Sequence, residues 1–273
     1  MKSRAKKVGF VGAGNMAGAL IRGVLEARLY RAGELWVTDP LPAQRRKIRR
    51  SYGVDAAPDN RELVNDSEMI VLAVKPQALP QVLDEIRGAA RARVLFVSIA
   101  AGFPLRRLEE RLGAEERVVR VMPNTPALLG KGVSVLVAGS RATKADLRAA
   151  LRVFRAVGDA LTVADEALLD AVTGLSGSGP AYVYRFAEAL IEAGVRQGVD
   201  PAIAGRLVFG TIEGAAAMLT GTKMTPKQLR EMVSSPGGTT LAGLAALEGA
   251  GFMQAIAAAV GAATERSREL GGR

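Results

Sequence analysis

The sequence predicts an α/β fold, with a doubly wound, largely parallel sheet over residues 1–164 followed by an all-α domain over residues 165–273. Three observations predict it. A strand-like run, Val8-Gly9-Phe10-Val11, passes through Gly12-x-Gly14-x-x-Ala17 straight into a small-residue helix. Strand-like and helix-like segments then alternate as far as Val163. Beyond Asp165 no convincing strand remains, and helix-like segments follow one another, punctuated by Gly198, Gly221 and Gly249.

The opening turn has the spacing of a dinucleotide-binding, Rossmann-type fingerprint with alanine in the third place. Gly12 permits a tight turn off the strand. Gly14 lets backbone N–H groups approach a pyrophosphate with no Cβ in the way. Ala17 is small enough for close helix–sheet packing, and the helix N-terminus favours an anion. A second strand, Leu35-Trp36-Val37-Thr38, ends at Asp39. Pro42 is placed to start a helix through Arg50, Gly53-Val54-Asp55 is a weak third strand, and Asp59-Asn60 opens a short helix. The runs Met69 to Val74, Val94 to Ile99 and Val118 to Met122 are continuously apolar or nearly so, as strands buried on both faces are. Gln77 to Arg87 has helical spacing. Val133 to Val137 and Leu161 to Val163 complete the sheet around a helix near 143–156. Parallel order places the turns at 12–16, at Asp39, at 74–76 and at 100–102 on one edge, where such sheets bind ligands.

In the second half, segments near 166–173, 180–196, 201–219, 226–233, 240–249 and 251–269 read as helices, with Pro180, Pro201 and Pro226 near their starts. Many carry alanine or glycine at helical spacing, so the bundle buries little area per helix and is expected to be completed by a second subunit. Two loops interrupt it. One runs from Thr173 to Pro180. The other, Ser234-Ser235-Pro236-Gly237-Gly238-Thr239-Thr240, combines glycine amides, hydroxyls and a helix start, as an anion nest does.

Composition narrows the chemistry. The 273 residues are 49% apolar and 23% charged, as in an ordinary globular protein. With no cysteine and no histidine, disulfides, thiolate sites and imidazole catalysis are excluded, and no metal is expected. The net charge of +10 invites nucleic acid, but the basic residues are dispersed and only 4% of residues are aromatic, so nucleic-acid binding is not expected. Lys2, Arg4, Lys6 and Lys7 before an apolar run imitate a signal peptide, yet cleavage would destroy the fingerprint. No later stretch reaches the roughly 18 apolar residues of a membrane span. The expected location is the cytoplasm.

The segments Gly9 to Ala17, Ala73-Val74-Lys75-Pro76, Met122-Pro123-Asn124-Thr125-Pro126, Thr173 to Tyr182 and Ser234 to Thr240 occur in this order, from near one end of the chain to near the other. Together they resemble the pyrroline-5-carboxylate reductase family. The resemblance implies reduction of 1-pyrroline-5-carboxylate to L-proline by NAD(P)H, the last step of proline biosynthesis. It implies a coenzyme held by Val11, Gly12, Ala13, Gly14, Asn15, Met16, Asp39, Asn60, Ala73, Val74, Lys75, Pro76, Ile99, Ala100 and Ala101. It further implies that the substrate carboxylate meets Ser235, Gly237, Gly238, Thr239 and Thr240, that the Thr240 hydroxyl reaches the ring nitrogen, and that Glu166 lies near the substrate. The family forms homodimers through its helical domain, and some members assemble five dimers into a decamer. A protonated imine is already electrophilic, which suits a chain without histidine or metal.

Asp39, at the end of the second strand, favours NADH by accepting from a ribose 2′-hydroxyl. Arg45 or Arg46 folding back would accommodate a 2′-phosphate, so NADPH is expected to be at least tolerated. Met232 stands where some relatives carry asparagine, and that coenzyme contact is not carried over. The sequence leaves open another imine or β-hydroxyacid reductase of the same architecture, or a non-catalytic nucleotide-binding scaffold.

Overall fold

The computed structural model describes residues 6–90 and 94–272. Lys2 and Arg4, half of the signal-like basic cluster, lie outside them. The chain divides into two compact units, one running up to Ser178 and resuming at Ala262, the other Gly179–Gly261. The strands end earlier, before the boundary near residue 164 that the sequence draws.

The first unit is built on an eight-stranded sheet of order β3-β2-β1-β4-β5-β6-β7-β8. Its strands are β1 (Lys6–Val11), β2 (Leu35–Thr38), β3 (Asp55–Ala56), β4 (Ser67–Leu72), β5 (Leu95–Ser98), β6 (Arg117–Met122), β7 (Gly132–Ala138) and β8 (Gly158–Thr162). The first six run parallel, while β7 pairs antiparallel with β6, so β7 and β8 form a reversed pair. The helices are α1 (Asn15–Glu26), α2 (Pro42–Tyr52), α3 (Asn60–Asn65), α4 (Leu79–Ile86), α5 (Leu105–Leu112) and α6 (Lys144–Arg155). Apolar side chains fill both faces of the sheet. Phe10, Leu20 and Phe154 lie in one core cluster, and Ile70, Leu83 and Leu108 in the other.

Local chemistry sets the helix ends. Asp59 accepts from the Glu62 amide at the start of α3, and Thr143 and Asp146 form a reciprocal capping box on α6. Pro42 opens α2 and Gly53 closes it in the left-handed conformation.

Several expectations shift. The sequence reading left 103–117 without an element, whereas α5 occupies Leu105–Leu112, burying Leu105, Leu108 and Leu112. The terminator after Met122 continues into a 3₁₀ helix, Thr125–Leu129. The stretch from Thr173 to Pro180 is not a loop. It continues α7 (Leu168–Val172) through a π-helical turn, Thr173–Gly177, closed by Ser178 N–H donating to the Thr173 carbonyl at 2.8 Å.

The second unit comprises α8 (Gly179–Arg196), α9 (Pro201–Gly221), α10 (Pro226–Met232), α11 (Thr239–Gly249) and the first part of α12 (Phe252–Gly271). Asp200 caps α9 and Thr225 caps α10. By length and composition α9 is apolar enough to cross a membrane, and so is the bent pair α11 and α12 taken together. Arg206, Thr211 and Glu213 interrupt α9, so it holds no unbroken run of roughly 18 apolar residues.

Candidate functional site

Parallel pairing brings the ends of β1, β2, β4 and β5 to one edge, and the nominated coenzyme residues follow those ends. The backbone ladder runs on into the turns. Gly12 N–H donates to the Thr38 carbonyl and Ala73 N–H to the Val11 carbonyl, both at 2.8 Å, and Ile99 N–H to the Leu72 carbonyl at 3.2 Å. Gly12 has φ +101°, and a Cβ there would lie 2.7 Å from the Ala73 carbonyl oxygen. Glycine is required by the chain itself.

Gly14 is different. Its φ of −71° suits any residue, and a Cβ would meet nothing within 4 Å. The space above it, at the N-terminus of a helix with no acidic residue in its first turn, fits a diphosphate. A cleft of about 130 Å³ adjoins the turn, lined among others by Gly14, Asn15, Arg22 and Lys47. Ala13 and Ala100 are buried, whereas Gly14, Asn15, Lys75 and Pro76 are exposed along the edge.

Asp39 is half-buried and already engaged. One carboxylate oxygen accepts from the Ala13 amide at 2.9 Å and the other from the Leu41 amide at 2.8 Å. A carboxylate offers about four acceptor sites, so capacity for a hydroxyl remains. Arg45 Nη1 donates to the Asp39 carbonyl at 2.7 Å. Asn60 lies beside the same strand end, where Thr38 Oγ1 donates to its Oδ1 at 2.6 Å. Its Nδ2 donates to Glu85 at 2.8 Å.

Glu166 also belongs to the first unit, with both its recorded contacts inside it. Its Oε1 accepts from Arg120 Nη1 at 2.5 Å and from the Leu105 amide at 2.7 Å. Arg120 is a residue that sequence reasoning missed. A charge in the middle of the run Val118 to Met122 must be paired when buried, and that was the available signal. Asn124 was missed likewise. Its Oδ1 accepts from the Val133 amide and its Nδ2 donates to the Ser176 carbonyl, tying the end of β6 to the π-helical turn. A Cβ on Gly177 would lie 2.5 Å from the Met122 methyl, the far end of a flexible side chain that can move aside.

In the second unit, Ser235, Gly237, Gly238, Thr239 and Thr240 form the approach to α11. Gly238 N–H donates to the Ser235 carbonyl at 3.0 Å, curling the turn, and Gly237 takes φ +70°. Gly238 is the N-cap, and no side chain caps the helix. Its first amides are therefore left for a ligand or water. Ser234 is spent on the Arg230 carbonyl, whereas among the described residues the Ser235 and Thr240 hydroxyls have no partner. The arrangement can hold an anion and offer a hydroxyl beside it.

The chain is similar to known proteins along nearly its whole length. Residues 166–270 match the family profile described as pyrroline-5-carboxylate reductase dimerisation. Residues 7–102 match one described as NADP oxidoreductase, coenzyme F420-dependent. The chain is 42% identical to a pyrroline-5-carboxylate reductase of Methanosarcina acetivorans, over 97% of this chain and 98% of that one. Its structure is similar to that of a pyrroline-5-carboxylate reductase from Coxiella burnetii, with TM-score 0.92 and 34% identity, covering 98% and 99% of the two chains. It is also similar to the Plasmodium falciparum pyrroline carboxylate reductase with NADP bound, with TM-score 0.86 and 34% identity, covering 97% and 98%. With a relative this similar along nearly its whole length, the chain belongs to the pyrroline-5-carboxylate reductase family.

Proposed function

We propose that the protein reduces 1-pyrroline-5-carboxylate to L-proline with NAD(P)H, the last step of proline biosynthesis. The observation that carries this reading is the uncapped start of α11, where open amides and the free Ser235 and Thr240 hydroxyls offer a carboxylate site with a hydrogen-bonding group beside it. A bound reduced nicotinamide supplies the hydride that converts the protonated imine to the amine. The chain's part is positioning. Ser235 and the amides of Gly237, Gly238, Thr239 and Thr240 hold the carboxylate, and the Thr240 hydroxyl accepts from the ring N–H. The amides of the Gly12–Met16 turn hold the diphosphate, and Ala73, Val74, Lys75, Pro76, Ile99, Ala100 and Ala101 line the rest of the coenzyme. Holding reactants in near-attack geometry is itself a large share of catalysis.

The test is loss of absorbance at 340 nm with pyrroline-5-carboxylate, run with NADH and NADPH in parallel. Imine-dependent oxidation supports the reading, and none with either coenzyme, in folded protein, removes it. Thr240→Ala is expected to lower kcat/KM by roughly one to two orders of magnitude, the worth of one well-placed hydrogen bond. An unchanged value takes Thr240 out of the reaction.

For the coenzyme we propose that NADH is used well and NADPH at least tolerated. Asp39 retains acceptor capacity for a 2′-hydroxyl, and Arg45, held over the strand end, is placed to meet a 2′-phosphate. Arg45→Gln is expected to raise KM for NADPH roughly tenfold while leaving KM for NADH within about twofold. Equal changes for both coenzymes would defeat this assignment.

The helical domain is a self-association domain of the family. The apolar residues exposed on α9, among them Ile203, Leu207 and Phe209, are proposed to be covered by a second copy rather than by a bilayer. A homodimer in the cytoplasm is the proposed state, with five dimers as the larger assembly that light scattering would detect.

A further inference from the structure

We infer that Glu166 is a positioning residue for the coenzyme, acting by fixing the loop that leaves β5. The inference rests on the reading that Ile99, Ala100 and Ala101 face the coenzyme.

The loop from Ile99 to Pro104 is held at both ends. At its start, the Ile99 amide extends the β4–β5 ladder. At its far end α5 begins behind Pro104, which has no side-chain donor or acceptor, and no side chain of its own segment caps the helix. Glu166, from the segment after β8, does so instead by accepting from the Leu105 amide at 2.7 Å. A carboxylate at that place also meets the positive end of the helix dipole.

The same oxygen receives Arg120 from the middle of β6. The Arg120 side chain is 3% exposed and the Glu166 side chain 22%, so the guanidinium is shielded from water and the carboxylate partly so. Midway along the loop, Gly102 takes φ +65°, and a Cβ there would lie 2.8 Å from the Cβ of Leu270 on α12. Ala100, Gly102, Phe103 and Pro104 are all buried. The segment is thus a fixed wall, clamped at Leu105 by Glu166 and covered at Gly102 by Leu270. Two of the roughly four acceptor sites of the Glu166 carboxylate are committed to donors within the fold. Its removal frees the far end of the wall that the coenzyme would touch.

Substituting Glu166 alone strands the Arg120 charge, so the test uses a charge-free background. Arg120→Met/Glu166→Gln keeps an acceptor for the Leu105 amide, and Arg120→Met/Glu166→Ala removes it. NADPH affinity is read by calorimetry with NADPH alone, local opening by amide hydrogen exchange over 99–105, and KM separately for NADPH and the imine. The glutamine variant is expected to bind NADPH at least fivefold more tightly than the alanine variant. Its Leu105 amide is expected to exchange at least tenfold more slowly. The same ordering of affinity and exchange in protein that reduces no imine would sustain the inference while removing the proposed substrate. Equal exchange and equal NADPH affinity would overturn the positioning role. A difference confined to the KM for the imine would return Glu166 to the substrate.

Discussion

Glu166→Ala in the otherwise native chain is expected to lower stability by about 3–5 kcal/mol, the cost of stranding one member of a buried ion pair. The Arg120 side chain is 3% exposed. Removing Glu166 leaves the guanidinium without its carboxylate and the Leu105 amide without its acceptor, both shielded from water. The midpoint of urea unfolding reads the effect. Glu166→Gln should lose less, because the amide oxygen still accepts. Arg120→Met/Glu166→Gln should recover part of the loss, since removing both charges removes the desolvation cost they carry. A midpoint shift worth less than about 1 kcal/mol for the alanine variant would mean that water reaches the pair and replaces the carboxylate.

The second large effect is expected at the glycine turn, where two neighbouring glycines should fail in different ways. Gly12→Val forces a side chain into φ +101° and against the Ala73 carbonyl. Strain of this kind costs roughly 1–3 kcal/mol before the collision is counted. The ends of β1 and β4 must part to relieve it, so NADPH affinity should fall on the order of a hundredfold, together with a lower melting temperature. Gly14→Ala places its methyl in open space at an ordinary φ of −71°. Its melting temperature should correspond to a change within about 0.5 kcal/mol, as at an unremarkable surface position. Its affinity for NADPH should nevertheless fall at least tenfold, because the methyl occupies the place of the diphosphate. If both variants lose stability equally, the space above Gly14 is not a ligand cradle.

The sheet was legible because each of its strands carries a signal that does not depend on distant partners. Leu35–Thr38 was read to the residue, and the central strands to within two, since a run buried on both faces has little but apolar residues. The weak third strand, expected at Gly53 to Asp55, lies at Asp55–Ala56, where only two residues pair. α5 was readable in principle: Leu105, Leu108 and Leu112 recur at helical spacing within a charged octamer. The π-helical turn was not, because a hydrogen bond closing one residue later than in an α-helix leaves no composition of its own. The same holds for the site. The fingerprint and the Ser235 to Thr240 turn are contiguous, and their chemistry is visible in one line of sequence. The Glu166 clamp joins residues 105, 120 and 166, and its logic appears only when β6, α5 and the segment after β8 have been folded together.

α12 has a consequence for how the protein is made. It begins in the second unit, and from Ala262 onward it belongs to the first, where Ser267 donates to Asp170 at 2.8 Å and Leu270 covers Gly102. The nucleotide-binding unit is therefore discontinuous in synthesis order, with residues 179–261 translated before its last piece exists. On the ribosome, Gly102 stays uncovered until α12 emerges, so this unit can be completed only after residues 179–261 have been made. Domains usually complete themselves in the order they are made. Here the last contacts of the first unit wait for a segment made after the whole of the second.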